Sequence, residues 1–290
     1  MSRRLFINIR LLLLSLTMGL VWGSCTEVID IELDSTYTRP VIFGQLTTDT
    51  TAHRITISST GDYFKNSPPQ GISGVDVEIF DGSNYHALTE SETEKGVYLT
   101  QPNFYGEVGK TYTLIVSNLD LLGDGVVSSH SASSTILPLG DVDSIRVVYR
   151  QLWQGWEVQG FAKDPAETRD FYKFLIYINN ELQTDSLHNY SIVDDTFFNG
   201  EYTNGVTITF FSDRRGMVSE GDTITVGFSG ITEDYFRFLS EAQEASWRSA
   251  PLFSGPPANP RTNLTNGAIG YFAAYSVKRA SAQVLPRPSL

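Results

Sequence analysis

From Pro40 onward, apolar and polar residues alternate with a period of two in short runs. Val41–Leu46, His53–Ser58, Val75–Phe80, Tyr85–Leu88, Val97–Thr100 and Tyr112–Val116 each mix β-branched and aromatic residues, which predicts half-buried strands. Between them lie turn signals such as Asp81-Gly82-Ser83-Asn84 and Tyr105-Gly106-Glu107-Val108-Gly109. The clearest hairpin sets Val75, Val77 and Ile79 against Tyr85 and Ala87 across the first of these turns. Short strands at this spacing predict a β-sandwich. Leu121–Leu139 is rich in Gly, Ser and Thr and has room for a last strand, and Pro138 then marks a boundary.

A second set of strands is predicted at Val142–Tyr149, Trp156–Phe161, Phe171–Ile178, Tyr190–Val193, Val206–Phe211 and Thr223–Phe228, with tight turns at Asn179-Asn180 and Glu220-Gly221-Asp222. Phe171–Ile178 carries aromatics on both faces, as a central strand does. One segment changes period. Tyr235, Phe238, Leu239, Ala242 and Ala245 follow a helical spacing, Thr232 can cap, and Glu233 and Asp234 favour the first turn, which predicts an amphipathic helix over 232–248. Four prolines between Pro251 and Pro260 then exclude helix and central strand, and Gly267–Ser276 reads as a final strand with small residues at alternate positions.

Gly96-Val97-Tyr98-Leu99-Thr100 followed by Gly109-Lys110-Thr111-Tyr112 resembles the paired strand motifs of the carboxypeptidase-regulatory or transthyretin-like sandwich. The expected architecture is therefore mainly β. An immunoglobulin-like or transthyretin-like sandwich over 40–139 precedes a second β-rich domain over 140–290 that carries the helix.

The chain before Pro40 follows a different pattern. Arg3, Arg4 and Arg10 lead into the apolar run Leu11–Trp22, the layout of a secretory signal over residues 1–24. About a dozen residues at about 1.5 Å each fall short of a hydrocarbon core of about 30 Å, so a permanent spanning helix is the weaker reading. Gly23 and Ser24 then meet Cys25, the one cysteine. The stretch resembles a bacterial lipobox, with Trp22 where that motif usually carries an aliphatic residue. Cleavage between Ser24 and Cys25 and lipidation of Cys25 would leave residues 25–39 as a tether, or in part as a first strand through Ile29, Ile31 and Leu33. The alternative is an ordinary signal cut near Ser24, leaving Cys25 as an unpaired thiol.

Charge narrows the partners. The formal net charge is −12, and without the three leader arginines it becomes −15. Such an acidic body disfavours nucleic acid and anionic lipid faces. No solenoid-length repeat and no low-complexity tract interrupts it.

The search for chemistry assigns no catalytic residue, cofactor or metal site. His53, His86, His130 and His188 are scattered and form no zinc-binding motif, and no G-x-S-x-G elbow occurs. Asp141 with Asp143, and Asp194 with Asp195, lack a calcium-loop pattern and read as solvated turn carboxylates. A carboxylate pair for glycoside hydrolysis is a property of the fold and stays open. Trp153 and Trp156 flank Gln154-Gly155; such aromatics either stack on a ligand or cover a core edge in a hairpin, the second being favoured. Asp49-Thr50-Thr51, Asp143-Ser144-Ile145, Asp185-Ser186-Leu187 and Asp222-Thr223-Ile224 resemble short O-glycosylation acceptors of Bacteroidetes.

The closing region is the most specific. Gly221-Asp222-Thr223-Ile224-Thr225-Val226, the helix, Pro256-Pro257-Ala258-Asn259-Pro260-Arg261-Thr262-Asn263 and Gly267–Ser276 together resemble a Bacteroidetes lipoprotein family known as domain of unknown function 4249. That resemblance implies an outer-membrane lipoprotein, often encoded beside a TonB-dependent receptor, with no settled activity and no catalytic residues to carry over. The expectation is a binding protein anchored by lipid on Cys25 that assists a TonB-dependent barrel by ligand capture or docking. A hydrolase of exported polymers and a structural or adhesive surface component remain the alternatives.

Overall fold

The alternation of the sequence produces strands nearly wherever it occurs. In the first half these are β1 (Pro40–Thr47), β2 (Arg54–Ser59), β3 (Asp76–Phe80), β4 (Tyr85–Ala87), β5 (Thr89–Glu90), β6 (Val97–Leu99), β7 (Thr111–Asp120) and β8 (Val127–Thr135). The second half supplies β9 (Asp141–Arg150), β10 (Gly155–Lys163), β11 (Phe171–Ile178), β12 (Glu181–Leu182), β13 (Ser191–Asp194), β14 (Tyr202–Ser212) and β15 (Thr223–Ile231), then helix α1 (Glu233–Trp247) and strand β16 (Ile269–Gln283). This is a computed structural model that describes residues 38–61, 69–247 and 259–287. The leader, Ser24, Cys25, most of the tether and Pro251, Pro256 and Pro257 lie outside the described residues.

The strands form three sheets. A nine-stranded sheet runs β12-β11-β15-β16-β1-β2-β6-β5, with β13 also on β11, and it is flanked by β4-β3-β7-β8 and by β14-β10-β9. The long strand β16 joins the two halves. Its first part, Ile269–Tyr275, runs parallel to β1, and Ser276–Gln283 pairs antiparallel with β15. Residue 140 lies in the link between β8 and β9, and the chain beyond it returns through β16 to the sheet of the first half.

Each sandwich has its own core. Ile42, Leu46, Ile55 and Ile57 meet Val77, Ile79, Leu114 and Val116 in the first; Trp156 and Val158 meet Phe174, Ile176, Val226 and Phe228 in the second. The outer face of the large sheet is covered by α1. Tyr235, Phe238 and Leu239 pack there on Phe171, Ile231, Tyr271 and Tyr275. The helix begins as expected, the Thr232 hydroxyl accepting from the Tyr235 N–H at 3.3 Å. Because both faces of β16 are covered, Tyr271–Ser276 are all buried, which explains the small Ala273 and Ala274 between large aromatics.

The motifs that resemble known families act as structural pins. The Tyr98 hydroxyl accepts from Val75 N and donates to Ile72 O, both at 3.1 Å, and the Tyr112 hydroxyl accepts from Glu107 N at 2.9 Å. Asn263 donates to Phe272 O at 2.8 Å and accepts from Phe272 N at 3.1 Å, so its amide acts as a short strand partner at the start of β16. Gly270 has φ +105, and a Cβ there would sit 2.1 Å from Ile42 O, so the close approach of β16 to β1 requires glycine.

Candidate functional site

The second sandwich is open along one side. β14 forms the edge of its three-stranded sheet, and β13, β12 and the short turn Leu187–Asn189 form the facing edge of the large sheet. β14 runs longer than its apolar run predicts, and its register against β10 shifts at two places.

Two openings follow successive stretches of β14. Along Thr203–Ile208 lies a mainly apolar cavity of about 100 Å³ reached between the sheets, lined by Tyr172, Phe174, Val193, Phe198, Val206 and Phe228 among others. Along Thr209–Ser212 lies a more polar groove of about 410 Å³, walled on the other side by Gln183, Thr184 and Asn189 and bordered by Arg215 and Met217. Between them the Ser191 hydroxyl donates to Ile208 O at 3.3 Å. Trp153 and Leu152 stand exposed at the tip of the β9–β10 hairpin, and the Trp153 ring meets Phe210 edge-on at 6.0 Å.

The two tryptophans of the hairpin therefore part company. Trp153 is 60% exposed, whereas Trp156 is 2% exposed and packs edge-on against Tyr149 at 5.0 Å. Only Trp153 presents a face to solvent. The alternation of β10 decides this, since Trp156, Val158 and Gly160 share the inner face.

Three carboxylates gather beside the apolar cavity, which Asp164 lines. Asp164, Asp170 and Asp195 each place one oxygen within 4.8 Å of the others, the one grouping of possible metal ligands among the described residues. Oxygen sets of this kind suit a hard cation. They are also held by the fold itself. Asp164 accepts from the Tyr172 hydroxyl and from Gly200 N, Asp195 from Asp170 N at 2.7 Å, and Asp170 from the Thr168 hydroxyl at 2.7 Å. These bonds clasp the 195–200 loop to β10 and β11. Burial, with Asp164 and Asp195 beside it, pushes the Asp170 carboxyl above its ordinary value. Asp195 is thus not the solvated turn carboxylate its sequence context predicts; it is buried because the chain turns under the start of β11. Asp194 pairs with Arg169 at 3.1 Å, while Asp141 and Asp143 are exposed.

On the opposite face of β11 lies a second polar site that sequence reasoning missed. Lys173 is completely buried beneath α1. Its Nζ lies 4.2, 5.3 and 5.9 Å from the ring centres of Tyr190, Tyr275 and Tyr235, and it donates to Gln45 Oε1 at 3.4 Å. Gln45 Oε1 also accepts from the Tyr275 hydroxyl at 2.6 Å. Burial pushes the Lys173 amine down to about 7, while the ring faces favour its charged form. The signal in the sequence is a lysine among Phe171, Leu175 and Tyr177; its partners arrive from β1, β16, α1 and, with Tyr190, the residue before β13.

Two of the histidines, His53 and His86, meet the ring of Phe104. His53 is buried beside Phe104, His86 bonds Asp81 at 2.8 Å, and His130 lies between Ser128 and Thr265 O; the His188 side chain lies outside what is described. Thr50, Ser144, Ser186 and Thr223 of the four acceptor-like tripeptides are all exposed. Among the described residues no helix is long and apolar enough to cross a membrane. No curated protein matches the chain. The model of a family described as Domain of unknown function (DUF4249) does match, over residues 26–281, and the chain belongs to that family.

Proposed function

We propose that the protein is a binding protein held at the outer membrane by lipid on Cys25, and that it serves a TonB-dependent transporter by capturing ligand or docking on the barrel. The observation that carries the binding reading is the open side of the second sandwich, where an apolar cavity and a polar groove adjoin along β14 beside exposed Trp153 and Phe210. Ligand sites combine these ingredients, apolar surface for affinity and a few polar groups for orientation. The address rests on the leader, on Cys25 and on the family resemblance. The fourteen or so residues between Cys25 and Pro40 would reach about 50 Å if extended, enough to stand the body off a bilayer surface.

Two measurements test the reading. Full-length protein recovered from solubilised membranes should bring a barrel with it, and Trp153→Ala should reduce that recovery without lowering the yield of folded protein. Repeated recovery of no barrel would refute the accessory role. A Cys25→Ala variant should leave the outer-membrane fraction and lose labelled palmitate; retention of both would refute the anchor.

A further inference from the structure

Among the described residues the sheets end in seven strands paired on one side only, and six are guarded, the four-residue β13 among them by its shortness. Unpaired edges invite addition of another strand, and folded proteins blunt them by shortness, charge, proline or cover. β4 has three residues, and β5 and β12 have two each. β8 is covered by the segment before β16, through Thr265 N to Ser131 O at 2.9 Å, Ser131 N to Thr265 Oγ1 at 2.9 Å and Asn266 Nδ2 to Ser129 O at 2.7 Å. β9 carries Asp141, Asp143, Arg146 and Arg150.

β14 differs from these, its blunting feature being the two register shifts against β10, which leave Thr209–Ser212 in regular register. It runs eleven residues, Tyr-Thr-Asn-Gly-Val-Thr-Ile-Thr-Phe-Phe-Ser, with no charge and no proline, and among the described residues it pairs only with β10. Alternate backbone groups on its far side point toward the two openings. The single side-chain bond given to that backbone is the Ser191 hydroxyl on Ile208 O. Tyr202, Val206 and Phe210 are exposed; the register shifts set Val206 beside Gly160 on the inner face, where it lines the apolar cavity, and leave Tyr202 and Phe210 on the outer face, with Trp153 against Phe210.

We propose that the free edge of β14 takes an extended segment of a partner protein as an added strand. This rests on the binding reading above and names its ligand class. In such recognition main-chain bonds supply affinity and pockets for alternate side chains supply selectivity. The apolar cavity and the Phe210–Trp153 surface are suited to β-branched or aromatic side chains of the incoming strand. Charge gives the segment a further feature. Arg214 and Arg215 follow β14 at its end, are exposed, and form no ion pair among the described residues, although the chain carries a net charge of −12. An acidic residue or a terminal carboxylate of the partner answers them. The groove is walled on both sides, by Thr209–Ser212 and by Gln183, Thr184 and Asn189, which suits a single chain better than the edge of a second folded copy.

The test uses full-length lipidated protein in detergent. A displayed library of random linear peptides is selected on it, and the enriched peptides are synthesised with a fluorescent label. The expected winners alternate apolar and polar residues and carry an acid near one end. Binding should slow amide exchange across Thr203–Phe211, and Val206→Lys with Phe210→Lys should weaken it by about tenfold or more while leaving the unfolding midpoint near wild type. Arg214→Glu with Arg215→Glu should shift the preference from acidic to basic peptides. Peptides that bind with protection elsewhere, or equally well to the lysine variant, overturn strand addition and leave the binding reading intact. Enrichment of no peptide, with the barrel still recovered from membranes, overturns the peptide class alone; loss of both overturns the two together. A concentration-dependent dimer abolished by the lysine substitutions would show that a second copy uses this edge, and would also overturn the proposal.

Discussion

Lys173 allows the physical account of the fold to be tested directly. The perturbation is Lys173→Met, which keeps an unbranched side chain beneath α1 and leaves Gln45 Oε1 its bond from Tyr275. A fall of the amine from 10.5 to about 7 corresponds to a penalty on the charged form on the order of 5 kcal/mol. Three tyrosine faces offset part of it, each by about 0.5–1 kcal/mol or somewhat more in a dry site. The penalty is the larger, so the lysine lowers stability at neutral pH. Its folded-state value is depressed, so between about 7 and 10.5 the unfolded chain binds the extra proton, and stability rises with pH across that window. From about pH 7.5 to about pH 9.5 the wild type should gain about 1–2 kcal/mol relative to the methionine variant, the lower figure reflecting the tyrosine cage. The window avoids His53, whose value burial lowers from 6.5, and the tyrosines, whose values burial raises above 10. Urea titrations followed by tryptophan fluorescence at several pH values measure the difference. Parallel wild-type and variant curves would refute the reasoning, because they would mean that the cage keeps Lys173 fully charged throughout.

Other sites give further expectations. Asn263→Ala removes both bonds to the Phe272 backbone and leaves them unpaired in a half-buried setting, so a loss of about 1–3 kcal/mol should appear in the same titration; Asn263→Asp should retain part of it through the acceptor. Asp170→Asn should stabilise the protein at neutral pH. The Asp170 carboxyl is raised, so the native state holds its proton longer and stability falls as pH rises through the folded value; the advantage of the amide should vanish below the ordinary carboxylate range near pH 4, and an advantage unchanged at low pH would contradict the raised carboxyl. Thr232→Ala should cost about 1 kcal/mol by removing the cap of α1, whereas Thr232→Ser should cost little.

What was legible in the sequence is what short-range physics dictates. Alternation predicts β1 and β3 with β4 within a residue or two, because a pleated strand puts successive side chains on opposite faces, and aromatics on both faces mark β11 as a central strand. Thr232, Tyr235, Phe238 and Leu239 predict α1 because cap and stripe both lie within four turns of chain. β8 was harder to place: in Val-Ser-Ser-His-Ser-Ala-Ser-Ser-Thr its inward side chains are His130, Ala132 and Ser134, and serine alternation resembles loop composition. The proposed lipid address on Cys25 likewise rests on a local pattern, and it lies outside the described residues.

Only tertiary structure decided which strands meet. The parallel pairing of β1 with β16 joins residues more than two hundred positions apart, and no local period encodes it. That pairing brings Gln45 and Tyr275 to Lys173, as the turn after β13 brings Asp195 to Asp164 and Asp170. It also determines which edge remains open. The run of uncharged residues in β14 is plain in the sequence, yet whether such a strand is sheltered or free depends on its neighbours, and hydrogen-bond partners across a sheet are chosen by the packing of the whole.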